Sequence, residues 1–370
     1  MKGRPQLFTT YASDQAPLNT PAKRWWMAAL AVALVLVPFQ LTTELNALMA
    51  TAFLSAIGAI GLNVVTGFAG QVSLGHAFFL GLGAYTAAVL SGDPDSQTLG
   101  YGLDMAIWLP AAGVVPAVVG LLVAPVATRL KGLYLAIVTL GLVFIGLHLF
   151  RELRFITGGP GVGRSSADLT LFGVDLESRT EVLGMTVSRE VKLYFVSLVL
   201  LVVFAVLARN LTRSAVGRAF AAVRDRDIAA EVMGVSLTRH KVIAFTVSSF
   251  YAGIAGAMLS TVTGFIEPSS YDLLLSVQFL AMILIGGMAT IAGSLLGAAF
   301  VVLLPRLVEE FPRFIPFVTG QSTGGFLTTF QLQTILYGAL IVVFLIAEPR
   351  GLYGLWVRIR NYFRAWPFSY

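Results

Sequence analysis

Residues 157–166 read TGGPGVGRSS, and Gly158 to Ser165 spells G-x-x-x-x-G-R-S. A phosphate-cradling loop has that glycine spacing, with Lys where this chain has Arg164. Such a loop follows a buried strand and opens a helix, because its N–H groups converge on phosphate only in that setting. Here the approach is FRELRF and the continuation SSADLTLFGV is broken and polar, so the glycines read as turn formers in a long loop. Other reactive types are scarce. There is no cysteine, and His76, His148 and His240 stand 72 and 92 residues apart, which offers no metal-ligand spacing. No nucleophile and base pair suggests itself, so neither a catalytic residue nor a metal site is expected. Gln71, Ser73 and His76 say more, because they interrupt a Gly-rich apolar segment where an unpaired polar group is costly. They must face a bundle interior, either lining a path or satisfying backbone groups freed where the helix breaks at Gly70 and Gly75. Both readings stay open. His148 is read as a satisfied helix-end residue and His240 as part of a basic stretch.

The elements that position these residues follow from composition. Of 370 residues 57% are hydrophobic and only 12% charged, with a mean hydropathy of +0.83. That is half the charge of an ordinary soluble domain and indicates a polytopic membrane protein. Apolar runs at 25–41, 45–65, 73–91, 106–128, 132–150, 191–208, 242–263, 273–288, 290–305 and 330–347 are candidate spans. The first follows Lys23 and Arg24 without a clean small-x-small site and reads as a retained span, not a cleaved leader. The pair 273–288 and 290–305 is short and Gly-interrupted, either two crossings or a re-entrant hairpin. The expected fold is all-α, a polytopic membrane protein of eight to ten transmembrane helices with Gly-rich broken helices.

Charge sets the sidedness. The loop 209–241 holds seven basic residues: Arg209, Arg213, Arg218, Arg224, Arg226, Arg239 and Lys241. The tails 1–24 and 348–370 are basic too, whereas 92–105 carries Asp93, Asp95 and Asp104, and 264–272 carries Glu267 and Asp272, with no basic residue in either. Basic loops stay cytoplasmic, so 209–241 and both termini are expected inside and 151–190 outside, around a permease domain at 25–347. Spans 1–4 and 7–10 then run in the same directions, compatible with a parallel internal repeat. An extracytoplasmic 158–165 meets no nucleotide pool. Trp25, Trp26 and Trp356 read as interfacial anchors, and the basic residues lack the soluble aromatic platform of a nucleic-acid binder.

The stretch 212–245 is the largest inner loop. Ala221, Ala222, Ala229 and Ala230 favour a helix and Gly234 stops it. Small side chains suit close docking in a partner's groove, while Arg224, Asp225, Arg226 and Asp227 can set its register. The run D-I-A-A-E-V-M-G-V, Asp227 to Val235, resembles the coupling loop of ATP-binding-cassette importer permeases. GLNVVTGFAGQVSLGHAFFLGLGAYTA at 61–87, GFIEPSSY at 264–271 and IGGMATIAGSLLGA at 285–298 are similar, in order and spacing, to the M-type branched-chain amino-acid permeases. The resemblance covers roughly residues 45–345. The acid of the coupling motif is partly displaced, with Asp227 before the Ala pair and Glu231 after it, so the helix transfers better than any single contact.

The resemblance implies a subunit without ATPase activity or cofactor of its own. It implies a second permease subunit, two cassette ATPases that bind ATP, a periplasmic solute-binding protein and a bacterial inner membrane. ATPase coupling would fall to Ala222, Arg224, Asp225, Asp227, Ala229, Ala230, Glu231 and Gly234. A translocation path would use Gln71, Ser73 and His76, and binding-protein docking Glu267 and Asp272, with the mixed charges Arg154, Arg164, Asp175, Glu177 and Arg179 nearby. Urea, short amides, aromatic acids or sugars are alternative cargoes on the same scaffold. An ATP-independent secondary transporter is disfavoured because spans 2–10 hold almost no midplane carboxylate.

Overall fold

A computed structural model of the chain describes residues 21–94, 98–130, 132–178, 180–182, 185–309, 318–319, 327–348 and 350–365. Lys2, Arg4, Asp95 and Arg179 lie outside the described residues. The apolar runs fold as helices α1 (Pro21–Leu36), α2 (Thr43–Asn63), α3 (His76–Ser91), α4 (Met105–Thr128) and α5 (Leu133–Glu152). A single turn, α6 (Arg154–Thr157), is followed by α7 (Arg189–Arg213), α8 (Ala215–Asp225), α9 (Asp227–Val232) and α10 (Leu237–Thr263). The chain continues through α11 (Leu273–Gly286), α12 (Ile291–Glu309), α13 (Thr329–Ala347) and α14 (Gly351–Ala365). The fold is all-α. Two- and three-residue β pieces occur only within connections, among them β1 (Arg164–Ser165), which pairs antiparallel with Phe265–Ile266.

Local sequence explains the helix ends. Thr42, Ser188, Ser214 and Asp272 each accept a backbone N–H in the first turn of α2, α7, α8 and α11, satisfying one of the donors a helix start leaves free. α2 does not stop at Asn63 but widens into a π-turn over Val64–Phe68, and α3 begins only at His76. Among the described residues five helices, including the α2 extension to Phe68, are long and apolar enough to cross a membrane; α1, α3, α11 and α12 are shorter apolar helices.

Contacts at the helix tips define two ends. At one, β1 meets Phe265–Ile266 between α10 and α11, Glu44 at the start of α2 pairs with Arg306 near the end of α12 at 3.6 Å, and Arg189 at the start of α7 donates to the Thr261 carbonyl near the end of α10 at 2.6 Å. At the other lie α8, α9, the π-turn, the α11–α12 turn and α14. Ten apolar segments, α1 to α5, α7 and α10 to α13, alternate between these strand and short-helix ends. α11 and α12 therefore run in opposite directions between these ends, each shorter than the helices long enough to cross a membrane. The paired members of the parallel repeat agree in direction but not in length: α2 with its π-turn has 26 residues against 14 for α11. Lengths match better between 43–152 and 237–347, each a long helix, a short one and two more, and these stretches run in opposite senses.

The core sits where α2, α3, α4 and α10 meet. A Cβ on Gly83 of α3 would collide with the Gly253 backbone of α10, and one on Gly253 with the Ala112 carbonyl of α4. Such close backbone approach is how membrane helices gain packing energy without a hydrophobic driving force between them. Leu122, Phe144, Val199 and their neighbours on α4, α5 and α7 are exposed, an apolar outer belt suited to lipid. Trp25, Trp26 and Trp356 are exposed as well.

Candidate functional site

The stretch foreseen as one Ala-rich helix is two. Arg226 adopts an extended backbone (φ −154°, ψ 93°) between α8 and α9, and Gly234 closes α9 at φ +83°, a conformation that costs Gly little and other residues more. Phe220 and Val223 of α8 are buried, and the Phe220 ring lies edge-on to His240. On α9, Ala230 is buried while Ala229 and Glu231 face outward. Ala222 is half-buried, and Asp227 Oδ1 accepts from the Ile228 N–H at 2.9 Å. Ile228 (73% exposed), Val232 (83%) and Met233 (83%) form an uncovered apolar surface beside these charges. The sequence reading missed all three; their spacing of four and five along a short helix flanked by charge was the available signal.

α8 is tied to the break in α2. Arg224 Nε bonds Asp225 Oδ1 at 2.9 Å, and its Nη1 donates to the Gly67 carbonyl at 3.1 Å. Gly70 has φ +69°, and a Cβ there would lie 2.7 Å from Arg224 Cγ, so the approach requires glycine.

Residues 64–77 show how a broken helix is held in an apolar bundle, where every freed backbone group needs a partner. The Leu74 N–H donates to Thr139 Oγ1 and the Ala77 N–H to Ser276 Oγ, both at 2.9 Å. Asn63 donates to the Thr290 carbonyl and Ser294 Oγ and accepts from the Ala289 N–H, at 2.8–2.9 Å. Ser73 Oγ accepts the Gly75 N–H at 3.4 Å. His76 is buried, bonds the Gly58 backbone and packs its ring 5.0 Å from Phe279. These contacts of Ser73 and His76 serve the break itself. Gln71 is held less: its backbone carbonyl accepts from Thr66, but both polar atoms of its side-chain amide are buried without a partner, as is His76 Nε2.

At the strand end a cavity of about 610 Å³ opens among α2, α10, α11 and α12. Leu48, Leu259 and Val302 give it an apolar wall, and Thr51, Glu267 and Gln278 supply polar groups. Glu267 thus borders a cavity, while Asp272 accepts the Leu275 N–H as the cap of α11. The structure brings Glu267 near this cavity and leaves Gln71 beside α8. Thr51 and Gln278 were missed, because lone polar residues in apolar runs carry no spacing.

Arg164 is 6% exposed. Its guanidinium donates to the Ile156 and Ala88 carbonyls at 2.6 Å and to Leu99 at 3.2 Å. A cation here satisfies a carbonyl of the last turn of α3, the end where the helix dipole favours positive charge. Gly158, Gly159, Gly161 and Gly163 all have positive φ, as turn formers do. The loop follows a helical turn, not a strand, and its arginine is spent on protein carbonyls.

Residues 45–345 match the family described as branched-chain amino acid transport system / permease component. The chain belongs to that family. This permease is 32% identical over 346 residues to the high-affinity branched-chain amino acid transport system permease protein LivM of Salmonella typhimurium, covering 90% of this chain and 76% of that one. Against LivM of Escherichia coli the identity is 31% over the same shares. The autoinducer 2 import system permease protein LsrC of Enterobacter sp. is 29% identical over 222 residues, 57% of this chain and 58% of its own. No solved structure matches the permease. It is a multi-pass membrane transport protein, and the family is one of transport components and not of enzymes.

Proposed function

We propose that this permease is a membrane-spanning subunit of an ATP-driven importer that takes up branched-chain amino acids across a bacterial inner membrane. The reading is supported by its likeness to two LivM permeases along 90% of its length. Its partners are a second permease subunit, two cassette ATPases that bind and split ATP, and a periplasmic binding protein that delivers cargo. The short-helix end, with both termini, faces the cytoplasm.

One observation carries the mechanism. The exposed Ile228, Val232 and Met233 stand on an element that Arg224 fastens to the unwound end of α2. An ATPase gripping that surface moves α8 and α9, and the bond to Gly67 passes the movement to the 64–77 break. Ser73 and His76 sit in that break and shape the path by holding it. Cargo arrives at the strand end, where Glu267 borders the 610 Å³ cavity: a carboxylate for the ammonium group and apolar walls for an aliphatic side chain. Since cargo shifts an alternating equilibrium only by its difference in affinity for the two states, the path binds it weakly. The test is reconstitution of the permease with the ATPases and binding protein encoded beside it. Leucine-loaded binding protein should stimulate ATP hydrolysis and leucine uptake; stimulation by a urea- or sugar-loaded protein in its place would reassign the cargo.

A further inference from the structure

A second cavity, of about 570 Å³, lies at the short-helix end, where α7 passes the π-turn, the α11–α12 turn and Tyr353 of α14. One wall is a single stripe of α7. Val202, Val206, Arg209 and Arg213 line the cavity at spacings of four, three and four, which puts them on one helix face. Val202 and Val206 are exposed and belong to the apolar outer belt. Arg209 is half-buried and Arg213 exposed. At about 1.5 Å per residue, the stripe passes from apolar to basic within about 16 Å of helix. Phe68, Ile291 and Ala292 add apolar wall from the π-turn and the start of α12.

Two observations point to an anion at the basic end. Among the described residues the Arg209 guanidinium meets no acceptor, and no acidic side chain lines the cavity. Arg213 has a partner of its own, so it adds charge and not a free donor. The N–H groups of Ile291 and Ala292, in the first turn of α12, also find no acceptor among the described residues; Thr290 Oγ1 takes that of Gly293, at 3.1 Å. A helix start leaves such donors free and favours negative charge. A free inorganic anion would meet these donors and leave the valine stripe bare. An acyl chain alone would cover the stripe and leave Arg209 unpaired. A phospholipid with an anionic headgroup does both, its phosphate at Arg209 and a chain laid along α7.

We infer that this groove holds an anionic phospholipid from the leaflet on the short-helix side. Basic pockets between membrane helices are settings in which acidic headgroups bind. Bound there, the lipid ties the end of α7 to the π-turn and the α11–α12 turn, beside the bonds by which Asn63 already joins α2 to that turn. The assignment needs only that the chain spans a membrane and is indifferent to the cargo.

The experiment purifies the permease in detergent with the subunits that accompany it, strips its lipid, and titrates phosphatidylglycerol, phosphatidylcholine or inorganic phosphate. Melting temperature and native mass spectrometry report binding. Phosphatidylglycerol should bind about tenfold more tightly than phosphatidylcholine, a factor that one charged hydrogen bond supplies. Arg209→Gln should remove that preference. Val206→Trp, at an exposed position, should fill the groove and weaken phosphatidylglycerol about tenfold, and it carries the test if the arginine variant fails to assemble. Arg239→Gln, an exposed basic position on α10 outside the groove, should keep the preference. Equal affinity for the two lipids overturns the inference, as does equal stabilisation by inorganic phosphate or an unchanged preference in Arg209→Gln and Val206→Trp. Equal loss in Arg239→Gln overturns it in favour of diffuse attraction to acidic membrane. Binding to the bare permease that vanishes once the other subunits attach overturns it too, and gives the groove to a protein.

Discussion

Arg224 on α8 and Gly67 in the π-turn that ends α2 are joined by a 3.1 Å hydrogen bond across 157 residues of sequence. The guanidinium reaches a carbonyl that an unbroken helix would have used internally. The same helix turn that unwinds α2 thereby creates the acceptor that docks α8.

Arg224→Ala removes this tie while leaving α8 anchored by Phe220 and Val223. Hydrogen bonds from charged groups contribute about 1.5–3 kcal/mol, and the exposure of this one places it at or below the lower figure. Uptake in cells is expected to fall about tenfold with unchanged membrane abundance, since about 1.4 kcal/mol corresponds to that factor. Arg224→Lys, unable to reproduce the fork, should recover only part of it. Uptake equal to wild type in the alanine variant would remove this bond from the coupling route.

Gly234→Pro and Ala229→Trp should each uncouple transport without blocking insertion. Proline cannot adopt the positive φ of Gly234 and lacks the N–H that donates to Glu231. Ala229 is exposed, so tryptophan there disturbs the docking face and not the core. Ile228→Asp and Met233→Asp should act alike by charging the apolar surface. The readout is ATPase stimulation by loaded binding protein, which should be lost while permease remains detectable in the membrane; full stimulation in these variants rejects the docking assignment.

Arg164→Ala should weaken the strand-end loop and leave nucleotide chemistry alone. It strips three carbonyls of a charged donor at a buried site, a loss of about 3 kcal/mol. The complex should melt at lower temperature, yet ATPase activity per assembled complex should match wild type. A loss of nucleotide binding would restore the phosphate-loop reading.

Asn63→Ala should cost more than Ser294→Ala. Asn63 serves three partners around the α11–α12 turn, including the N–H of Ala289, a non-glycine residue at φ +57°. Losing all three leaves buried groups unpaired at about 1–3 kcal/mol each, whereas Ser294→Ala frees one. Thermal unfolding in detergent ranks the two, and equal melting temperatures would deny Asn63 its place in holding the turn.

All ten apolar segments, the position of the break near Gly70 and the stop at Gly234 were legible in the sequence, because hydropathy and glycine conformation are local properties. The division of the coupling stretch at Arg226 was not legible: its alanines favour a helix throughout, and only the burial of Val223 and Ala230 against the bundle explains why the chain turns between them. The nearly matched lengths of 43–152 and 237–347 were hidden for another reason, since apolar runs do not fix where each helix starts and stops.

Thus the order of apolar and basic residues by itself determined that this is a many-helix membrane protein and which stretches connect its helices, while the motifs at 61–87, 264–271 and 285–298 carried the resemblance to its family. Only the tertiary structure decided that Arg164 closes on backbone carbonyls, that Gln71 lies beside α8 with its amide unpartnered, and that Ile228, Val232 and Met233 stand uncovered. A run of side chains states what each segment must bury, but which groups meet depends on helices folding back over a hundred residues or more, and that distance carries no local signature.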